Sequence, residues 1–145
     1  MPKLNVGRGI AAGAVGTAAI TMIMLGAPLL GMARMPIGDM LGSFLHIGSV
    51  AGWAMHVVIG LALALVYAGW FATRLPGGPA LSGAIYGIGV FLVAQVVVTP
   101  MMGGGVFSGG NVSMIAGSLA GHLVYGVLVG LIYGQPAGVR ELAHV

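Results

Sequence analysis

Two histidines lie in stretches of the chain that are otherwise apolar. His56 and His122 are each followed by a glycine four residues later and by a tyrosine eleven residues later, so the pattern His-x3-Gly-x6-Tyr occurs twice. On an α-helix these positions lie within about 40° of one another and share one face. Imidazole can ligate iron or other metals and can hydrogen-bond a ligand or another helix. The pattern therefore predicts two equivalent polar positions, while Tyr67 and Tyr133 are expected to be anchors at a membrane interface.

Further uncharged polar groups are expected at a depth similar to that of the histidines. These candidate ligand-binding or cofactor-binding residues are Thr21, Gln95 and Thr99. Two interpretations stay open: the groups hydrogen-bond one another and fix helix register, or they line a small ligand or metal site. His46, which precedes the stretch containing His56, could join a metal site or be solvated.

The charge content shows what kind of protein carries these groups. The 145 residues include five Lys or Arg, two Asp or Glu and no Cys, and 59% are hydrophobic. Charged residues make up 5% of the chain, against about 25% in soluble domains. The composition predicts an integral membrane protein and excludes a soluble enzyme, a nucleic-acid-binding protein and a disulfide scaffold.

Charge-free windows cover residues 9–33, 40–73 and 75–139. A membrane-spanning helix needs about 20 apolar residues, and glycines near the middle of the third window divide it into two spans. A β-barrel would show alternating segments of about ten residues, which are absent. The sequence predicts one all-α transmembrane domain over residues 1–145, with four spans at about 9–31, 49–72, 81–102 and 113–134.

Basic residues predict the orientation of the spans. Four of them, Lys3, Arg8, Arg74 and Arg140, would lie on one side, and Arg34 alone on the other. The excess of positive charge marks the cytoplasmic side, so both termini are expected there. The linker 33–47 would then lie outside, either as an interfacial helix with Asp39 as its N-cap or as an irregular loop.

The repeated pattern predicts an internal duplication. Gly9 and Gly13 resemble Gly83 and Gly87, so each half would be a two-helix hairpin, and the halves would be related by a pseudo-twofold axis along the membrane normal. Small residues at four-residue spacing let helix backbones approach closely. The residues expected to form such packing seams are Gly52, Gly60, Ala64, Gly126, Gly130 and Gly134.

No recognisable catalytic motif occurs in the chain. The predicted spans contain no Asp, Glu, Lys or Arg, and there is no phosphate-binding loop, catalytic triad or zinc motif. We expect a non-catalytic structural or accessory protein in the lipid bilayer, where a second copy or another membrane protein could be its partner. One alternative is a haem b protein with His56 and His122 as axial ligands, or a metal-binding protein; copper is the less favoured cofactor. A second alternative is a small passive pore.

Three short motifs carry a resemblance to a family. They are Gly-Trp-x2-His-x3-Gly at 52–60, Thr-Pro-Met-Met-Gly at 99–103 and Gly-His-Leu-x-Tyr-Gly at 121–126. With these motifs, the chain resembles an uncharacterised family of small bacterial four-helix inner-membrane proteins. The resemblance implies a bacterial inner membrane and four helices, and it brings no known activity or site residues.

Overall fold

A computed structural model describes residues 4–134, and every regular element in that range is helical. The main helices are α1 (Val6–Gly26), α2 (Ile37–Phe44), α3 (Ser49–Val66), α4 (Pro79–Val93) and α5 (Val112–Tyr133). Three of them are prolonged by helical segments of other types. A 3-10 turn, Ala27–Leu30, extends α1; a π-helical segment, Tyr67–Phe71, extends α3; and a π-helical segment, Ala94–Val98, followed by Thr99–Met101, extends α4.

Four of these helices are long and apolar enough to cross a membrane. They run over Val6–Leu30, Ser49–Phe71, Pro79–Met101 and Val112–Tyr133. The predicted spans begin and end within about three residues of these bounds. The prediction of an all-α membrane protein with four transmembrane helices is confirmed, whereas the duplication with its pseudo-twofold axis stays a prediction.

Local capping explains where α1 begins and where α5 begins and ends. The side chains of Asn5 and Asn111 accept hydrogen bonds from the amides of Arg8 and Met114, at 2.9 and 3.1 Å, so both act as N-caps. Gly134 ends α5 with a φ of +72°, a conformation that glycine adopts without steric cost.

The linker between α1 and α3 contains a helix, α2. The prediction that Asp39 caps this helix is wrong, because the N-cap is Pro36 and Asp39 lies in the first turn. The Asp39 carboxylate instead accepts a hydrogen bond from the hydroxyl of Ser49, at the start of α3. Close packing then fixes α2 on α3, since a Cβ built on Gly52 would overlap the carbonyl oxygen of Gly38.

The four long helices form a ring that is incomplete on one side. Helix α4 packs along α5, α5 along α1, and α1 along α3. Helices α3 and α4 approach each other chiefly through Tyr67–Phe71, near the turn that connects them. We call this level of the bundle the turn end, and the opposite level, where α2 lies, the α2 end.

Helices α4 and α5 make the closest backbone approach. A Cβ built on Gly126 would overlap the carbonyl oxygen of Gly83, and one built on Gly87 would overlap the carbonyl oxygen of His122. Such contact between backbones is possible only with glycine at the crossing, and van der Waals packing of this kind holds helices together in lipid.

A cluster of tyrosines closes the turn end. The Tyr67 and Ser82 hydroxyls are 2.6 Å apart, and the Tyr86 hydroxyl donates to the Leu63 carbonyl oxygen at 2.7 Å. The ring of Tyr67 also packs against that of Tyr133, with centroids 6.3 Å apart. Tyr67 and Tyr133 are therefore buried in the bundle, and the expectation that they are interface anchors is wrong.

Candidate functional site

A cavity of about 700 Å³ lies inside the incomplete ring. Its walls come from α1, α3, α4 and α5, and α2 contributes to the wall at the α2 end. Most of the lining side chains are aliphatic or methionine. Along the cavity, α3 and α4 make few direct contacts with each other apart from those near the turn end.

The exposure of the lining residues shows where the cavity opens. Of the described lining residues, the exposed ones belong to the spans of α3 and α4: Ile59, Val66, Gly89, Val93 and Val98. The lining residues on α1, α2 and α5 are buried or partly buried. The opening is therefore lateral, between α3 and α4, at a level that a bilayer would cover.

Four of the candidate site residues line this one cavity. They are His56, Gln95, Thr99 and His122. Gln95 and Thr99 are 3% and 9% exposed, respectively. The structure adds Ser118, one helical turn before His122, to the same wall.

Thr21 is not part of the lining, whereas Thr17, one helical turn nearer the start of α1, is. A spacing of four residues advances about 400° around a helix, so each step turns the side chain about 40° further. The buried face of α1 that contains Gly9 and Gly13 includes Thr17, but Thr21 has rotated away from it. Taking this rotation into account would have favoured Thr17 from the sequence.

His46 lies apart from the cavity. It is exposed in the loop between α2 and α3, with a φ of +57°. Within residues 4–134 there is no group of three or more His, Cys, Asp or Glu side chains that could hold a metal ion. The metal candidates His56 and His122 are thus not joined by His46.

His122 is held in a defined orientation. Its Nδ1 is 2.7 Å from the carbonyl oxygen of Ser118. A carbonyl oxygen can only accept, so Nδ1 carries the proton and donates it. The Nε2 atom is then left with its lone pair, as an acceptor or a potential metal ligand.

Two other polar groups in the lining have atoms without a hydrogen-bond partner among the described residues. One is Nε2 of His56, and the other is Oγ1 of Thr17. The ring of His56 packs edge-on against Trp53, with centroids 5.9 Å apart. Thr17 packs against Gly60, where a Cβ would overlap its Oγ1. A buried polar atom without a partner is costly, but protein atoms cover both of these, so either side chain would have to turn before it could hydrogen-bond a ligand.

Gln95 has one defined bond. Its Oε1 accepts a hydrogen bond of 2.9 Å from the hydroxyl of Ser108, which leaves both hydrogens of the amide nitrogen available to another acceptor. Gln95 lies in the π-helical segment Ala94–Val98, and π-helical turns within α-helices are frequent at functional sites.

The predicted packing residues contact several different neighbours. Gly60 lies against Thr17 of α1, and Ala64 lies against Gly13 of the same helix. Gly126 and Gly130 lie against α4, and Gly52 lies against α2. The small residues of α3 thus pack against α1 and α2, and those of α5 pack against α4. Helices α3 and α5 do not pack against each other through these small-residue faces, and the cavity lies between α3 and α5.

Gly134 has a different role from the other five, because it ends α5. The guanidinium of Arg8 lies close to it, and its Nε donates a hydrogen bond of 2.8 Å to the carbonyl oxygen of Ile132. A cation near a helix C-terminus is favourable because it meets unsatisfied carbonyl groups.

Methionines are a further feature of the lining, concentrated toward the α2 end. They are Met24, Met35, Met40, Met102 and Met114. Thioether side chains adapt to irregular shapes, and they are also soft ligands that suit copper(I). All five of these methionines line the same cavity.

Comparison with known proteins gives a family and no function. No significant match joins the chain to a curated protein or to a solved structure. A family of unknown function, DUF6789, matches residues 4–144. This match covers nearly the whole chain and confirms the resemblance to an uncharacterised family, and the structure has four apolar helices, while bacterial origin stays a prediction. The chain belongs to DUF6789.

Proposed function

We propose that this protein is a non-catalytic membrane protein that binds a lipid-soluble ligand in its central cavity. One observation carries the proposal: the exposed lining residues lie on α3 and α4 alone among those described. A ligand would therefore enter from the bilayer, between these two helices.

The composition of the cavity wall supports this function. The lining contains no Asp, Glu, Lys or Arg among the described residues, so it offers no counter-charge to an ion. A volume of about 700 Å³ falls within the range of small-molecule sites, which are mostly apolar with a few polar groups. An accessory or structural role in a larger membrane assembly is compatible with such a site.

The alternative of a passive pore receives less support. A pore needs a continuous polar path along the bundle, whereas the tyrosine cluster fills the turn end. Tyr67 is fully buried there, and Tyr86 and Tyr133 are 6% exposed.

Haem b is the second candidate, and the orientation of His122 favours it. Metal-bound histidines usually donate their other ring nitrogen to a carboxylate or a backbone carbonyl, as His122 does to Ser118. His56 reaches the same cavity from α3, but its Nε2 is covered by protein atoms, so its ring would have to turn to ligate iron. Protein expressed with excess haem should then show a Soret band that disappears in His122→Ala; a colourless protein would contradict this candidate.

The placement of the membrane around the bundle is also a proposal. Arg8 and Arg74 lie at the turn end, where Arg74 stacks on the exposed Trp70 at 3.9 Å and donates to its carbonyl oxygen. Such a pair suits a membrane–water interface. We place the turn end in the cytoplasm and the protein in a bacterial inner membrane. Lys3 and Arg140, on which the prediction also rests, lie outside the described residues.

Blocking the opening tests the proposed function. Val93 is 57% exposed and lines the cavity, whereas its neighbour Leu92 is 46% exposed and does not. Protein purified in nanodiscs of its host lipids should release a bound apolar molecule, detected by native mass spectrometry. Val93→Trp should reduce its occupancy at least several-fold, and the matched control Leu92→Trp should retain it. Equal occupancy in both variants, or an empty wild-type protein, would contradict the proposal.

A further inference from the structure

We infer that the ligand is an isoprenoid quinone or its quinol, a neutral ring with oxygen atoms on opposite edges and a branched apolar tail. This inference rests on the proposed function, because it names the class of molecule that the cavity would take from the bilayer.

The lack of charge in the wall selects a neutral head. Phospholipids and fatty acids carry phosphate or carboxylate groups, and burying an unpaired charge is costly. The described lining contains no Lys or Arg, so an anionic head would have no partner there. A neutral ring carries its oxygens into the cavity without that cost.

The free hydrogen-bonding atoms match a ring with two oxygens. Gln95 on α4 retains two amide hydrogens as donors, and His122 on α5 retains an Nε2 lone pair as an acceptor. Across the cavity on α3, His56 lines the same space, but protein atoms cover its unpartnered Nε2. One edge of a ring could therefore be met from α4 and α5, and the other from α3 once the His56 ring turns.

The two oxidation states would use different atoms of this set. Quinone oxygens are acceptors, so the amide of Gln95 would donate to one of them. Quinol hydroxyls are also donors, and the Nε2 lone pair of His122 would accept from one of them. The site can thus hold both forms without a protonation change of its own.

The opening suits the tail. Its rim consists of the branched aliphatic side chains Ile59, Val66, Val93 and Val98, with Gly89 leaving space between them. Of these, Ile59, Gly89 and Val93 lie closer to the middle of their spans than Gln95 does. A tail attached to a ring at the level of Gln95 would pass between α3 and α4 into the hydrocarbon region.

Tryptophan fluorescence can report occupancy of the site. The chain has two tryptophans, and Trp70→Phe leaves Trp53, whose ring packs against His56. Quinones quench indole fluorescence at short range. A benzoquinone with a decyl chain, added to Trp70→Phe protein in nanodiscs, should quench Trp53 saturably. Decylbenzene, which has the same tail and no oxygens, should displace the decyl benzoquinone only weakly.

Two variants test recognition of the oxygens. Gln95→Leu should weaken quinone binding about three- to tenfold, the effect of one buried hydrogen bond. Val96→Leu, a lipid-facing change at the adjacent position, should leave it unchanged. His122→Leu should weaken binding of the decyl quinol more than that of the quinone. Circular dichroism melting would verify that each variant is folded.

The outcomes separate the inference from the proposed function. If decylbenzene competes as well as the quinone and Gln95→Leu changes nothing, the quinone assignment is wrong and a lipid-soluble ligand remains. If neither compound binds and Val93→Trp behaves like Leu92→Trp, the proposed function fails as well. A Soret band at substantial occupancy would overturn the quinone in favour of haem.

Discussion

The hydroxyl of Tyr125 on α5 donates a hydrogen bond of 2.6 Å to the backbone carbonyl oxygen of Gly60 on α3. Both residues line the cavity. Because α3 and α5 each pack mainly on other helices, this bond is a direct link across the interior. It lies one helical turn beyond the histidines on both helices, toward the turn end.

Replacing Tyr125 by Phe should remove this link while keeping the ring. We expect a loss of about 1 kcal/mol in the free energy of unfolding, measured by thermal or denaturant unfolding in detergent. Tyr133→Phe is the matched control, because the hydroxyl of Tyr133 is 3.5 Å from the amide nitrogen of Asn5 and that bond is weak. Equal losses in the two variants would contradict the assignment.

A single methyl group at the α4–α5 crossing should be strongly unfavourable. In Gly126→Ala the new Cβ would overlap the Gly83 carbonyl oxygen, and overpacking typically costs about 1–3 kcal/mol. Gly69→Ala provides the comparison, since no atom lies within 4 Å of a Cβ at that position. The unfolding temperature of Gly69→Ala should stay the same or rise, because alanine loses less conformational entropy than glycine when a helix forms. An unchanged melting temperature in Gly126→Ala would refute the close approach.

The packing of α2 against α3 depends on Gly38. A Cβ at this position would overlap the indole of Trp53, so Gly38→Ala should displace α2 and change the environment of Trp53. In the Trp70→Phe background we expect a shift of the emission maximum. Gly26→Ala, where a Cβ meets no atom within 4 Å, should leave the emission as it was; a shift of the same size there would argue against the contact.

The orientation can be determined by cysteine labelling, because the chain has no cysteine of its own. Ser43 is exposed on α2, and Pro76 is exposed in the turn between α3 and α4. In intact cells a membrane-impermeant maleimide should label Ser43→Cys and spare Pro76→Cys until the membrane is opened. The reverse pattern would place the turn end outside.

A polar residue's depth in a span can be predicted from the sequence more readily than its direction around the helix. Depth follows from residue number once a span is located, so His56, Gln95 and His122 are expected in one layer, and the structure shows that all three line one cavity. Direction depends on which neighbour each face meets, which the sequence leaves open. For this reason Thr21 was expected to be a site residue although it does not line the cavity, and Tyr67 was expected at a membrane interface.

The opening itself had no signal in the sequence. Four-residue spacing of small residues predicts that a helix packs closely but does not name its partner. Gly60 and Gly126 have equivalent places in the repeated pattern, yet one faces α1 and the other faces α4. The space between α3 and α4 results from which neighbouring helix each of these small-residue faces packs against.

The tyrosine contacts have a consequence for the direction in which the proposed ligand would lie. They join α3 to α4 at the turn end, and the two helices make few direct contacts elsewhere. The turn end is thus a closed floor, and a molecule that enters between α3 and α4 could extend inside the bundle only toward the α2 end.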